Sequence, residues 1–192
     1  MNCYLKRAVI LIPLVLSLQG CFFVVGAAAG AAGVAAVYDH RKLSNIMQDQ
    51  HTTQIIYNNI RSTPSLLDSH IEVTCFNQIV LLTGETATAD QRALAGAIAQ
   101  RYPNVSKVYN QITVRGPTSS LTRASDSWIS AKIKTEMLAT SDLKSGTIKV
   151  LTENGTVYLL GIVTRDQADM AVDIARQVSG VQKVVKIFQY KN

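Results

Sequence analysis

The sequence predicts an α+β fold made of two tandem copies of one small domain, each running helix, strand, strand, helix, strand, with a three-stranded sheet covered by two helices. Three observations predict it: an internal repeat, strand-period alternation broken by hairpin residues, and apolar residues at helical spacing. The repeat carries most weight. Leu66 to Gly84 realigns on Leu143 to Gly161 at a constant offset of 77, pairing Ile71 with Ile148, Val73 with Val150, Asn77 with Asn154, Val80 with Val157 and Leu82 with Leu159. After a one-residue deletion the offset becomes 76 and pairs Thr88, Asp90, Gln91, Ala95 and Val105 with Thr164, Asp166, Gln167, Ala171 and Val181.

In the second copy, Asp126 or Ser127 is placed to cap a helix whose Ile129, Ile133 and Met137 recur on one face. Ile148 and Val150 then alternate into Asn154-Gly155, a strong hairpin signal, and Val157 to Leu160 returns antiparallel. Thr164 or Asp166 caps a second helix with Met170, Ile174 and Val178 on one stripe, and Val181 to Tyr190 supplies the last strand. The first copy repeats this with Ile56 and Ile60, Ile71 to Phe76, Ile79 to Thr83, Leu94 with Ile98 and Tyr102, and Val105 to Val114. The Gly-Pro opening and Ser/Thr content of Gly116 to Arg123 predict a linker, giving domains over 46–115 and 125–192 with 116–124 between them. A domain of about 65 residues has a marginal core, so the two copies are expected to support each other across a shared interface.

Ahead of the repeats, Lys6 and Arg7 precede the apolar run Ala8 to Leu18 and the quartet Leu18-Gln19-Gly20-Cys21. That order is a secretory signal over 1–20, and the quartet resembles a lipobox, whose cysteine thiol receives a diacylglycerol after cleavage. Phe22 to Val37 is apolar but short and dominated by Ala and Gly, so 21–45 is read as a lipidated tether rather than a membrane span. Loss of 1–20 leaves 17 basic against 13 acidic residues, a mild positive balance that suits anionic head groups and is too dispersed for nucleic acid. Cys75 is then the one thiol not accounted for by the signal or the lipid, and a packing role is expected for it.

The duplicated αββαβ unit, Gly84 and Gly161 read as hairpin glycines, and Val181-Gln182-Lys183-Val184 together resemble the BON domain over about residues 47 to 190. The second copy is the closer match, through Ser125-Asp126-Ser127-Trp128-Ile129, Thr152-Glu153-Asn154-Gly155 and Val178-Ser179-Gly180-Val181. The resemblance implies a periplasm-facing module without catalysis that binds anionic, phosphatidylglycerol-like phospholipid and supports envelope integrity, often near the division site. Lipoproteins of this kind are sorted by the residue after the lipidated cysteine; here it is Phe22, which implies the inner leaflet of an outer membrane.

The candidate site lies on the first helix of the second copy. On a helical wheel Trp128, Ala131, Thr135 and Leu138 share one face roughly opposite Ile133, with Lys132 and Lys134 on either side. An indole beside ammonium groups suits the interfacial layer of a membrane, where each lysine near an anionic surface adds about 1 kcal/mol. The equivalent positions in the first copy are His51, Gln54, Asn58 and Arg61, all polar, so the second apolar stripe belongs to one copy and not to the fold. The stripe contacts lipid, or a protein of the outer-membrane assembly machinery, or docks onto the first copy, the linker or the tether. His40, His51 and His70 show no metal-ligand spacing, no phosphate-binding glycine pattern is present, and no nucleophile and base are paired, so neither a metal, a cofactor nor enzyme activity is expected. Cys21→Ser is expected to block both processing and lipidation; the precursor then runs larger on a gel and takes up no labelled palmitate. Failure of the unmutated chain to take up palmitate overturns the lipoprotein reading.

Overall fold

The computed structural model describes residues 41, 43–116 and 118–191. The signal peptide, Cys21 and the tether before residue 41 lie outside the described residues. Helix α1 (Leu43–Ser62) leads into strands β1 (His70–Phe76) and β2 (Ile79–Thr86), helix α2 (Ala89–Gln100) and strands β3 (Lys107–Asn110) and β4 (Thr113–Val114). The second copy repeats the order with α3 (Ser120–Ala139), β5 (Ile148–Glu153), β6 (Thr156–Val163), α4 (Arg165–Gln177) and β7 (Lys183–Tyr190). Each hairpin is antiparallel, and the last strand of each copy runs parallel to the strand at the centre. In the first copy that last strand is broken, with β3 and β4 both pairing β2 and the buried Ile112 between them.

Each sheet turns one face to its two helices. Ile56, Ile60, Val73, Val80, Leu82, Ala95 and Ala99 form that core in the first copy, and Ile129, Ile133, Met137, Val150, Val157, Leu159, Ala171 and Ala175 in the second. The predicted α1 and α3 faces are the ones buried. In α2 and α4 the deepest positions are Ala95, Gly96 and Ala99, and Ala168, Ala171 and Ala175, while Leu94, Ile98, Met170 and Ile174 are only partly covered. Small side chains let the helix approach the sheet and push the larger ones to the flanks. Buried Cys75 packs in the first core, as a packing role requires, and burial followed by the neighbouring Asp49 pushes its thiol up to about 12.

The opposite sheet faces meet each other. Phe76, Ile79 and Leu81 pack against Tyr158, Leu160 and Ile187, with Tyr109, Leu151, Ile162 and Val185 at the margin. A fully buried leucine or isoleucine contributes about 1.5–3 kcal/mol, so this layer is the mutual support that two marginal domains need. The hairpin end of the first sheet reaches the far end of β7, where Asn77 Nδ2 donates to Gln189 Oε1 at 2.6 Å.

Two local expectations are corrected, and one open alternative is decided. Helix α3 begins at Ser120, capped by Ser119, so the second half of the expected linker is helical and Asp126 sits inside the helix rather than at its start. Gly84 and Gly161 are not turn residues; they lie in β2 and β6 opposite Ile71 and Ile148. Gly84 has φ +104°, and a Cβ there would stand 2.0 Å from the His70 carbonyl oxygen. At the starts of α2 and α4 the capping oxygens belong to Thr88 and Thr164, leaving Asp90 and Asp166 to favour the helix dipole from the first turn.

Asp126 has a different role. Its carboxylate is buried and accepts from the backbone N–H of Asn154 (2.7 Å) and Gly155 (2.9 Å). Asp49, at the matching position of the first copy, accepts from Asn77 N (2.7 Å) and Gln78 N (3.1 Å). Both turn residues of each hairpin have positive φ, the type I′ geometry, whose two N–H groups need acceptors outside the strands. The carboxylates supply them and fix each helix to its hairpin. Asp126→Ala is expected to cost about 2–4 kcal/mol by urea unfolding, because two buried donors lose a charged acceptor. A loss under 1 kcal/mol counts against this anchor.

Candidate functional site

The burial of Asp126, Ile129, Ile133 and Met137 orients α3 and leaves its other face outward. Trp128 is 56% exposed and Leu138 65% exposed, and Ala131, Lys132, Lys134 and Thr135 are exposed with them. Thr135 Oγ1 donates back to the Ala131 carbonyl at 3.0 Å, which satisfies the hydroxyl within the helix. Lys132 pairs with Glu136 at 2.8 Å in a solvated i, i+4 bridge that contributes little energy. The structure therefore brings all six predicted residues onto one outward side of one helix, and Trp128 is not covered by the first copy.

Two further members were missed. Because α3 starts at Ser120, Leu121 (80% exposed) and Ala124 continue the stripe, giving Leu121, Ala124, Trp128, Ala131, Thr135 and Leu138 at alternating spacings of three and four. Over this length the stripe runs about 25 Å within about 100° of arc. The signal was present in the sequence but was hidden by assigning Gly116 to Arg123 to a linker. Helix α1 spans the matching residues of the first copy, and there His51, Gln54, Asn58 and Arg61 are exposed, with Gln54 donating to Asn58 at 2.9 Å. Among the described residues no helix is long and apolar enough to cross a membrane.

Beside α3 lies a cleft of about 450 Å³ between the copies, walled by Arg123, Ser130 and Lys134 of α3, by His70 and Glu72 of β1, and by Glu153 of β5. Glu85, the cross-strand partner of His70, is 2% exposed and accepts from Arg115 Nη2 at 3.0 Å and from the Thr118 hydroxyl. Burial alone raises the Glu85 pKa, but the bonds from Thr118 and Arg115 outweigh it and hold the carboxyl below its usual value. Glu153 lacks such donors. Burial, then the charges of Glu85, Asp126 and Glu72, push its carboxyl up to about 7 against the weaker pull of Arg115.

The BON domain family model matches residues 48–116 and 125–192. The outer membrane lipoprotein DolP of Haemophilus influenzae is 35% identical over 188 residues, covering 97% of this chain and 96% of that one. The 21 kDa hemolysin of Actinobacillus pleuropneumoniae is 35% identical over 137 residues, 71% of each chain. Osmotically-inducible protein Y of Escherichia coli is 27% identical over 157 residues, covering 80% of this chain and 78% of that one.

A carboxyl raised from 4.5 to about 7 binds its proton more tightly in the folded state. Its contribution to stability is complete below the unfolded value and is lost as pH rises through the folded one. Glu153→Gln removes that loss and is expected to be more stable than wild type at pH 8 by about 1–2 kcal/mol, a range reduced for solvent screening in the open cleft. The advantage should shrink by pH 5 in urea unfolding with chelator present. An advantage that does not change with pH removes Glu153 as the titrating group.

Proposed function

The chain belongs to the BON domain family, and from that premise we propose that it is an outer-membrane lipoprotein whose second domain reads an anionic phospholipid surface through α3. Cys21 carries the lipid and holds the chain on the inner leaflet, facing the periplasm. The observation that carries the membrane reading is the exposed apolar stripe of α3 beside a polar counterpart in α1. A fold requirement would act on both copies; this one acts on a single copy. The indole and the two leucines enter the interfacial layer, while Lys132 and Lys134 approach lipid phosphates. Because a multiply acylated cysteine anchors by itself, the helix selects where in the membrane the protein dwells. In this role the protein supports envelope integrity and division-site placement without catalysis.

The phosphatidylglycerol preference of residues 41–192 tests the reading against phosphatidylcholine vesicles. Trp128→Glu and Leu138→Glu are expected to reduce binding to the anionic vesicles by tenfold or more, while shifting stability by only about 0.5 kcal/mol because both positions are solvated. His51→Glu, at the matching site of the first copy, should bind as wild type does. Equal affinity of the unmutated protein for both vesicles transfers the stripe to a protein partner of the outer-membrane assembly machinery. Unfolding by Trp128→Glu, or an equal loss in His51→Glu, makes the stripe an internal docking surface.

A further inference from the structure

We propose that His70, Glu85 and Glu153 form a site for one divalent cation of the zinc class, placed in the seam between the two copies. His70 and Glu85 are cross-strand partners at the open end of the β1–β2 hairpin, and Glu153 comes from the last position of β5 in the other copy. One ligand atom from each lies within 4.8 Å of the others, a separation that a single ion can draw together. Independently, Glu153 Oε1 is a buried oxygen with no hydrogen-bond partner, a ligand atom that no group of the protein engages.

The donors decide the class of ion. One imidazole nitrogen and two carboxylates are a borderline set that suits zinc, whereas calcium and magnesium prefer oxygen alone. Glu85 keeps capacity for the ion, since its Oε1 accepts from Arg115 and Thr118 but its Oε2 is touched only by the long Thr118 N–H contact of 3.4 Å. Arg115 stays as the second contact that orients the Glu85 carboxylate. Three protein ligands leave a fourth coordination position for a water. A cation held this way joins strands of both copies and stiffens the contact between their sheets. Sequence spacing gives no hint of it, because the ligands are 15 and 68 residues apart and meet only through the sheet-to-sheet packing.

The test is calorimetric titration of the full chain in detergent with zinc chloride, with calcium and magnesium chlorides in parallel. The expected result is saturable uptake of one zinc per chain with a higher melting temperature, and no comparable effect of calcium or magnesium. His70→Ala and Glu153→Gln should each weaken the uptake by tenfold or more, while Glu72→Gln, a carboxylate on the cleft wall outside the ligand set, should leave it unchanged. Glu153→Gln is expected to fold well, so its loss of binding is not a loss of structure. Absence of saturable uptake, or equal uptake by all three variants, overturns the site and leaves a proton or a water as the partner of Glu153. The lipid reading is untouched by either outcome, since the titration contains no vesicles.

Discussion

A two-residue hairpin turn points two backbone N–H groups away from its own strands, and burying that turn without acceptors would cost several kcal/mol. In both copies an aspartate from the first helix meets these groups with one carboxylate. Asp126 holds Asn154 and Gly155, and Asp49 holds Asn77 and Gln78. The first copy needs the clamp more, because Gln78 adopts φ 66° without the freedom that Gly155 has at the same place. The contact fixes the helix against the sheet in position as well as in rotation. Once Asp126 and Ile129 point inward, Trp128 must point outward.

Rotation set in this way gives the two copies the same frame and lets their surfaces diverge. The sheet faces turned away from the helices are apolar at the centre and meet there, so the pair behaves as two helix layers around two stacked sheets. Polar residues gather where that contact opens to solvent. Glu72, Glu85, Asp126 and Glu153 converge at one such edge with Arg115 among them; bonds from Thr118 and Arg115 hold the Glu85 carboxyl low, whereas burial and the neighbouring carboxylates push Glu153 up.

The α3 stripe depends on the same frame. Identical helix boundaries 77 residues apart put His51 where Trp128 stands and Arg61 where Leu138 stands, so a difference in chemistry falls on an unchanged geometry. Solvated positions tolerate either residue type within about 0.5 kcal/mol, so folding stability does not account for the apolar choice in α3. The membrane contact proposed above would supply the reason that folding does not.

The sequence by itself determined the duplication, the order of elements, the hairpin at Asn154-Gly155 and the inward faces of α1 and α3, because these follow from local periodicity and turn chemistry acting within about 20 residues. It also exposed the core of the α3 stripe, since the two copies act as controls for each other. Tertiary structure alone decided the rest. Asp126 reads locally as a cap, and only the hairpin folded against it shows what its carboxylate binds. Gly84 looks like a turn glycine until the strand opposite places a carbonyl where its side chain would be. His70, Glu85 and Glu153 have no shared pattern in the chain, and Leu121 looked like linker until Ser119 capped a longer helix. In each case the deciding partner lies on another element, and the distance between elements is set by sheet and helix packing rather than by spacing along the chain.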